Sequence, residues 1–84
     1  MSSVTVYSTT MCPYCEAAKA LLTKRGVPFR EVNLARSPDA RDQLLEATGG
    51  FTFPQVVIGE QVVGGFDELR EADRSGRLRE LLAA

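Results

Sequence analysis

The chain has no histidine, no tryptophan, only two cysteines, and no apolar run near the ~20 residues that span a bilayer. Each gap excludes something. Without histidine, the usual general base and the commonest metal ligand are missing. Two cysteines are too few for a stapled secreted scaffold, and Met1–Val6 lacks the basic-then-apolar pattern of a secretion signal. A reducing, cytoplasmic setting is the expectation. Ten basic residues against eleven acidic ones leave a net charge of −1, with the signs interspersed. No basic field therefore points to nucleic acid or to an anionic membrane. Repeats, linkers and low-complexity tracts are absent too, so residues 1–84 are expected to form one small α/β domain.

What is present reads as alternating strands and helices. Val4-Thr5-Val6-Tyr7-Ser8 alternates and is rich in β-branched residues, which predicts a strand. A helix follows, with Pro13 in its first turn, Cys15, Ala18, Leu21 and Leu22 on its inner face and Gly26 at its end. Residues 29–34 alternate again and predict a second strand, parallel to the first through a right-handed crossover. Ser37-Pro38-Asp39 reads as a helix start with Ser37 as cap. That helix is expected to run to about Thr48 and to bury Ala40, Leu44 and Ala47 or Thr48, with Gly49-Gly50 ending it. Gln55-Val56-Val57-Ile58 and Gln61-Val62-Val63, separated by Gly59-Glu60, predict a two-residue hairpin. After Gly64-Gly65 a third helix opens with Asp67 as its expected cap, and Ser75-Gly76 separates it from a short final helix. The order is βαβαββα plus that terminal helix, which suggests a four-stranded mixed sheet flanked by helices.

Cys12-Pro13-Tyr14-Cys15 sits between the first strand and the first helix. A Cys-x-x-Cys in that place reads as a redox dithiol. Cys12, at the helix start, faces free N–H groups and the positive end of the macrodipole, both of which favour its thiolate. Cys15 lies one turn inside and lacks that support. Cys12 is therefore expected to attack and Cys15 to resolve the mixed disulfide. Three other readings exist. A structural disulfide across so short a loop would stabilise by only about 2 kcal/mol and would be reduced in the cytosol. A structural zinc site normally takes four Cys or His ligands. An inert buried pair leaves Pro13 and the helix-start position unexplained.

Together with Thr52-Phe53-Pro54 and Gly64-Gly65-Phe66-Asp67-Glu68, in that order and spacing, the dithiol resembles a glutaredoxin over nearly the whole chain. The resemblance implies a thioredoxin-like fold and catalysis by Cys12 and Cys15. It implies glutathione as co-substrate, with no tightly bound cofactor and no metal. Pro54 is similar to the family's cis-proline, and Phe53 stands where the family pairs its main chain with the cysteinyl part of glutathione. Thr52 belongs to the same stretch. Gly65, Phe66 and Asp67 match the helix start that takes the γ-glutamyl head, Tyr14 would lie along the bound tripeptide, and Arg41 matches a position that reaches the glycine carboxylate. Many relatives carry a lysine three residues before the first cysteine; here that residue is Thr9, and no Lys or Arg precedes Lys19.

The implied activity is a monomeric, glutathione-dependent reduction of glutathionylated or disulfide-bonded proteins. Two alternatives share the residues. One is a small redoxin reduced by thioredoxin reductase and serving ribonucleotide reductase. The other is a carrier in which two subunits hold an iron–sulfur cluster through Cys12 thiolates and glutathione.

Overall fold

Alternation in β1 (Val4–Ser8) turns Val4, Val6 and Ser8 to one side, where all three are buried, and leaves Thr5 and Tyr7 on the other. In the computed structural model, which describes residues 2–83, this strand lies inside a four-stranded sheet ordered β2-β1-β3-β4. β2 (Arg30–Asn33) runs parallel to β1, with Tyr7 opposite Val32. β3 (Gln55–Ile58) runs antiparallel to β1, and β4 (Gln61–Gly64) antiparallel to β3. The β3–β4 turn uses Gly59 at φ 61°, where a residue without a side chain is favoured. A register shift opposite Val56/Val57 marks a bulge in this hairpin and carries β4 on to Gly64.

α1 (Pro13–Lys24), α3 (Phe66–Ser75) and α4 (Arg77–Ala83) pack on the face that carries Val4 and Val6. The core there joins Val6, Ala18, Leu22, Val56, Ile58, Leu69 and Leu78. Fully burying one such leucine is worth about 2 kcal/mol, which is why the α1 pattern of Ala18 and Leu22 fixes the face that helix presents. Arg25, the C-cap of α1, grips Asp73 of α3 through Nε and Nη2, both at 2.9 Å, so the two site-bearing helices are also joined at their far ends. α2 (Ala40–Thr48) covers the other face, where Gln43, Glu46 and Ala47 lie beside Tyr7, Val32 and Leu34.

Two helix starts differ from expectation. Ser37 does not cap α2, which begins only at Ala40 with Asp39 as N-cap. The Ser37 hydroxyl donates instead to Asp39 Oδ1 at 3.0 Å, and Gln43 Nε2 donates to both. That side-chain cluster occupies the hydroxyl and holds Asp39 off helical dihedrals, at φ −115° and ψ 38°. Helix α2 buries Leu44, while Ala47 stays exposed and Thr48 is half-buried. Asp67, likewise, is not the cap of α3. Gly65 is, and Asp67 is the second helical residue.

Candidate active site

The N-cap of α1 is Cys12, in extended conformation with Pro13 following at the first helical position. Met11 before it adopts φ 55°, a left-handed backbone that aims the chain into the helix and leaves the Met11 side chain 96% exposed. Cys12 and Cys15 are joined as a disulfide, with their Cα atoms 5.2 Å apart. The Cys15 N–H donates to Cys12 Sγ at 3.2 Å, so the first sulfur sits where helix N–H groups converge. Cys15 is fully buried, whereas Cys12 keeps part of its surface. The chemical asymmetry expected from spacing is thus accompanied by an asymmetry of access.

Beside the dithiol runs an open groove of about 270 Å³. Tyr14, Thr52, Phe53, Pro54, Gly65, Phe66 and Asp67 all line it, and Glu68 joins them. The Phe53–Pro54 peptide bond is cis. Tyr14 and Phe66 meet across the groove with ring centroids 6.1 Å apart and planes inclined by 34°. Arg41 is exposed on the first turn of α2, and it is not among the residues that line the groove.

At the α3 end the chain turns through Gly64 at φ 117°, where a Cβ would stand 2.9 Å from Glu68 Oε1. The Gly65 N–H donates to that same oxygen at 2.8 Å. Glu68, the third residue of α3, therefore satisfies one of the free N–H groups from within the helix. The Asp67 carboxylate is left facing solvent, 3.5 Å from the guanidinium of Arg70. Arg70 in turn lies 5.6 Å over the Phe66 ring.

Residues the motifs did not mark also support the site. Gln55 is buried, and its Nε2 donates to the Thr52 carbonyl at 3.0 Å, which ties down the turn carrying Phe53 and Pro54. Gly50 makes room for it, since a Cβ there would lie 2.7 Å from Gln55 Nε2. A polar residue opening an otherwise apolar strand was the available signal. At the end of β1 the fully buried Ser8 donates to Glu31 Oε2 at 2.6 Å. Lys19 completes the set, 3.0 Å from Glu31 and 2.8 Å from Glu16. The Ser8 hydroxyl foremost, then the Lys19 ammonium, hold the Glu31 carboxyl below its ordinary range. Glu16 foremost, then Glu31, raise Lys19. No group of three or more His, Cys, Asp or Glu side chains among the described residues is arranged to hold a metal ion.

The arrangement can perform disulfide exchange: an accessible sulfur at a helix start, a second sulfur held behind it, and a groove leading to a second helix start. A family model described as Glutaredoxin matches residues 4–63. The chain is 44% identical over 84 residues to a glutaredoxin of Pseudomonas aeruginosa, covering all of both sequences. It is 39% identical over 82 residues to glutaredoxin 3 of Escherichia coli, covering 98% of this chain and 99% of that one. Among solved structures, the solution structure of glutaredoxin from Brucella melitensis superposes with a TM-score of 0.85 at 41% identity, over 98% of this chain and 89% of that one. A buckwheat glutaredoxin–glutathione complex superposes with a TM-score of 0.86 at 33% identity, over 98% and 77%.

Proposed function

The chain belongs to the glutaredoxin family, and from that premise we propose that it works as a glutathione-dependent thiol–disulfide oxidoreductase with the Cys12/Cys15 dithiol as its centre. The observation that carries this reading is the groove itself. It runs from the Cys12-capped start of α1, past the cis Phe53–Pro54 bond, to the start of α3. That the buckwheat relative was solved as a glutathione complex supports glutathione as the occupant.

The cycle follows from the two sulfurs. The Cys12 thiolate attacks the glutathione sulfur of a protein–glutathione mixed disulfide. The protein thiol leaves, and Cys12 is left glutathionylated. A second glutathione then attacks, releasing glutathione disulfide and restoring the Cys12 thiol. With a protein disulfide, Cys12 attacks and Cys15 closes on it, freeing the reduced protein; two glutathiones reopen the pair. Along the groove, Phe53 would offer its main chain to the cysteinyl part and Tyr14 its ring to the peptide. The Phe66 and Asp67 N–H groups would receive the γ-glutamyl carboxylate, and the Asp67 side chain its ammonium.

The setting we assign is cytoplasmic, in keeping with a dithiol that must be kept reduced. The acting unit is taken to be a monomer, and the protein substrates glutathionylated or disulfide-bonded proteins, ribonucleotide reductase among them. No helix of the described residues is long and apolar enough to cross a membrane.

The test is a pair of NADPH-coupled assays, one with glutathione and glutathione reductase, the other with thioredoxin reductase. Rapid turnover in the first is expected. Turnover only in the second would assign the electron donor to the flavoenzyme, a reading that the absence of any Lys or Arg before Lys19 makes worth the control.

A further inference from the structure

The charges that meet the groove are all at one end of it. Asp67 and Glu68 line it. Glu68 Oε1 is engaged by the Gly65 N–H. Arg70 does not line the groove itself but sits against two residues that do, reaching Asp67 Oδ1 at 3.5 Å and lying 5.6 Å over the Phe66 ring. The rest of the lining, Tyr14, Thr52, Phe53 and Pro54, is uncharged.

Asp67 and Arg70 form a carboxylate–guanidinium pair that is exposed on both sides, at 75% and 58% of side-chain surface. As an internal ion pair it is weak, because water competes for both partners. As a recognition element it is well formed. A carboxylate beside a guanidinium is the reverse charge pattern of an α-amino acid head, which carries an ammonium and a carboxylate on one carbon. The Phe66 ring and the Asp67 carboxylate hold the guanidinium against the first two residues of α3. At 3.5 Å the Arg70–Asp67 contact is longer than an ordinary hydrogen bond, so the exposed Asp67 carboxylate keeps capacity for an ammonium.

We propose that Arg70 is a specificity-determining residue that pairs with the α-carboxylate of the substrate's γ-glutamyl head while Asp67 pairs with its ammonium. This rests on the glutathione reading above and adds a side-chain cation to a site otherwise served by main-chain N–H groups. The head is thereby read as a zwitterion, and thiols lacking either charge are discriminated against. The chemistry of exchange is unchanged. The Cys12 thiolate attacks the glutathione-side sulfur of the mixed disulfide and bonds to it, the bond to the carrier peptide's sulfur breaks, and that sulfur leaves as a thiolate that takes a proton from water.

The test uses the reduced full-length protein in single turnover against four mixed disulfides of one carrier peptide. Their thiols are glutathione, an analogue with 4-aminobutanoyl in place of the γ-glutamyl group (no α-carboxylate), an analogue with glutaryl in its place (no ammonium), and cysteinylglycine (no head). Release of peptide thiol against concentration gives a half-saturation value and a limiting rate for each. For the native protein, both head analogues are expected to half-saturate at concentrations about tenfold higher than glutathione or more, the worth of one charge-assisted contact. In Arg70→Gln the value for glutathione should rise about three- to tenfold with an unchanged limiting rate, that for the 4-aminobutanoyl analogue should not move, and the gap between the two should largely close. Equal shifts for all four disulfides in Arg70→Gln, or no shift for glutathione, would overturn the assignment of Arg70. Should the native protein use cysteinylglycine as well as glutathione, the glutathione reading itself fails, a result separate from either of those.

Discussion

The Glu68 carboxylate accepts the Gly65 N–H at 2.8 Å and so closes the start of α3 from inside the helix. This contact decides the geometry of the site's far end. It makes Gly65 rather than Asp67 the cap, and it leaves the Asp67 carboxylate for the groove. It also explains Gly64: with φ 117° and Glu68 Oε1 2.9 Å from any Cβ, the position admits no other residue without strain.

Glu68→Ala is therefore expected to destabilise the protein by about 1 kcal/mol, the usual worth of a helix cap, and to weaken glutathione use by loosening the α3 start. Urea unfolding and the half-saturation for a glutathionylated peptide check both. Gly64→Ala should cost about 1–2 kcal/mol or more from backbone strain alone. Adding Glu68→Ala should relieve only the steric part of that penalty. Full recovery in the double variant would show that φ at Gly64 is not the constraint.

Gln55 holds the turn that carries Phe53 and Pro54. Gln55→Ala would remove that hydrogen bond and the buried side chain that makes it, at a cost of about 1 kcal/mol for the bond, since the exposed Thr52 can turn its carbonyl to water. Because Thr52 and Phe53 line the groove, half-saturation for glutathionylated substrate should rise as well. A stability loss with unchanged kinetics would mean the turn holds its shape without Gln55.

The Ser8–Glu31–Lys19 set carries a pH signature. The folded state lowers the Glu31 carboxyl below its ordinary 4.5, so its contribution is present above that value and is lost as the pH falls through the lowered one. Lys19 is raised above 10.5, so its contribution is present below that value and is lost as the pH rises through the raised one. Glu31→Gln should flatten the acid limb of stability against pH, and Lys19→Met the alkaline limb, each by lowering the neutral plateau by what that limb loses in the native protein, a small amount because the pair is partly solvated. Urea midpoints across pH 3–11 or so measure this. An acid limb identical in the native protein and Glu31→Gln would contradict the assignment.

Much of this was readable from residue order because the signals are local. Pro13 after Cys12 marks the start of α1, Gly59-Glu60 sets the hairpin, and Gly64-Gly65 stops β4. Misreadings arose where a longer side chain reached over a local signal. Gln43 draws Ser37 and Asp39 into its own hydrogen bonds and delays α2, and Glu68 takes the capping role that Asp67 appeared to own by type. The rest depends on tertiary neighbours that no spacing encodes. Ser8, Glu31 and Lys19 meet only once β1, β2 and α1 are assembled. Tyr14, Phe66 and Arg70 form a row only because the starts of α1 and α3 face each other.

The most direct measurement takes Cys12→Ser and Cys15→Ser through the same two assays: release of glutathione from a glutathionylated peptide, and reduction of a protein disulfide. Cys12→Ser is expected to be inactive in both. Cys15→Ser should keep the first and lose the second, with glutathione found by mass spectrometry on Cys12. If Cys15→Ser loses both equally, the accessible sulfur at the start of α1 does not work with glutathione alone, and the proposed mechanism is wrong.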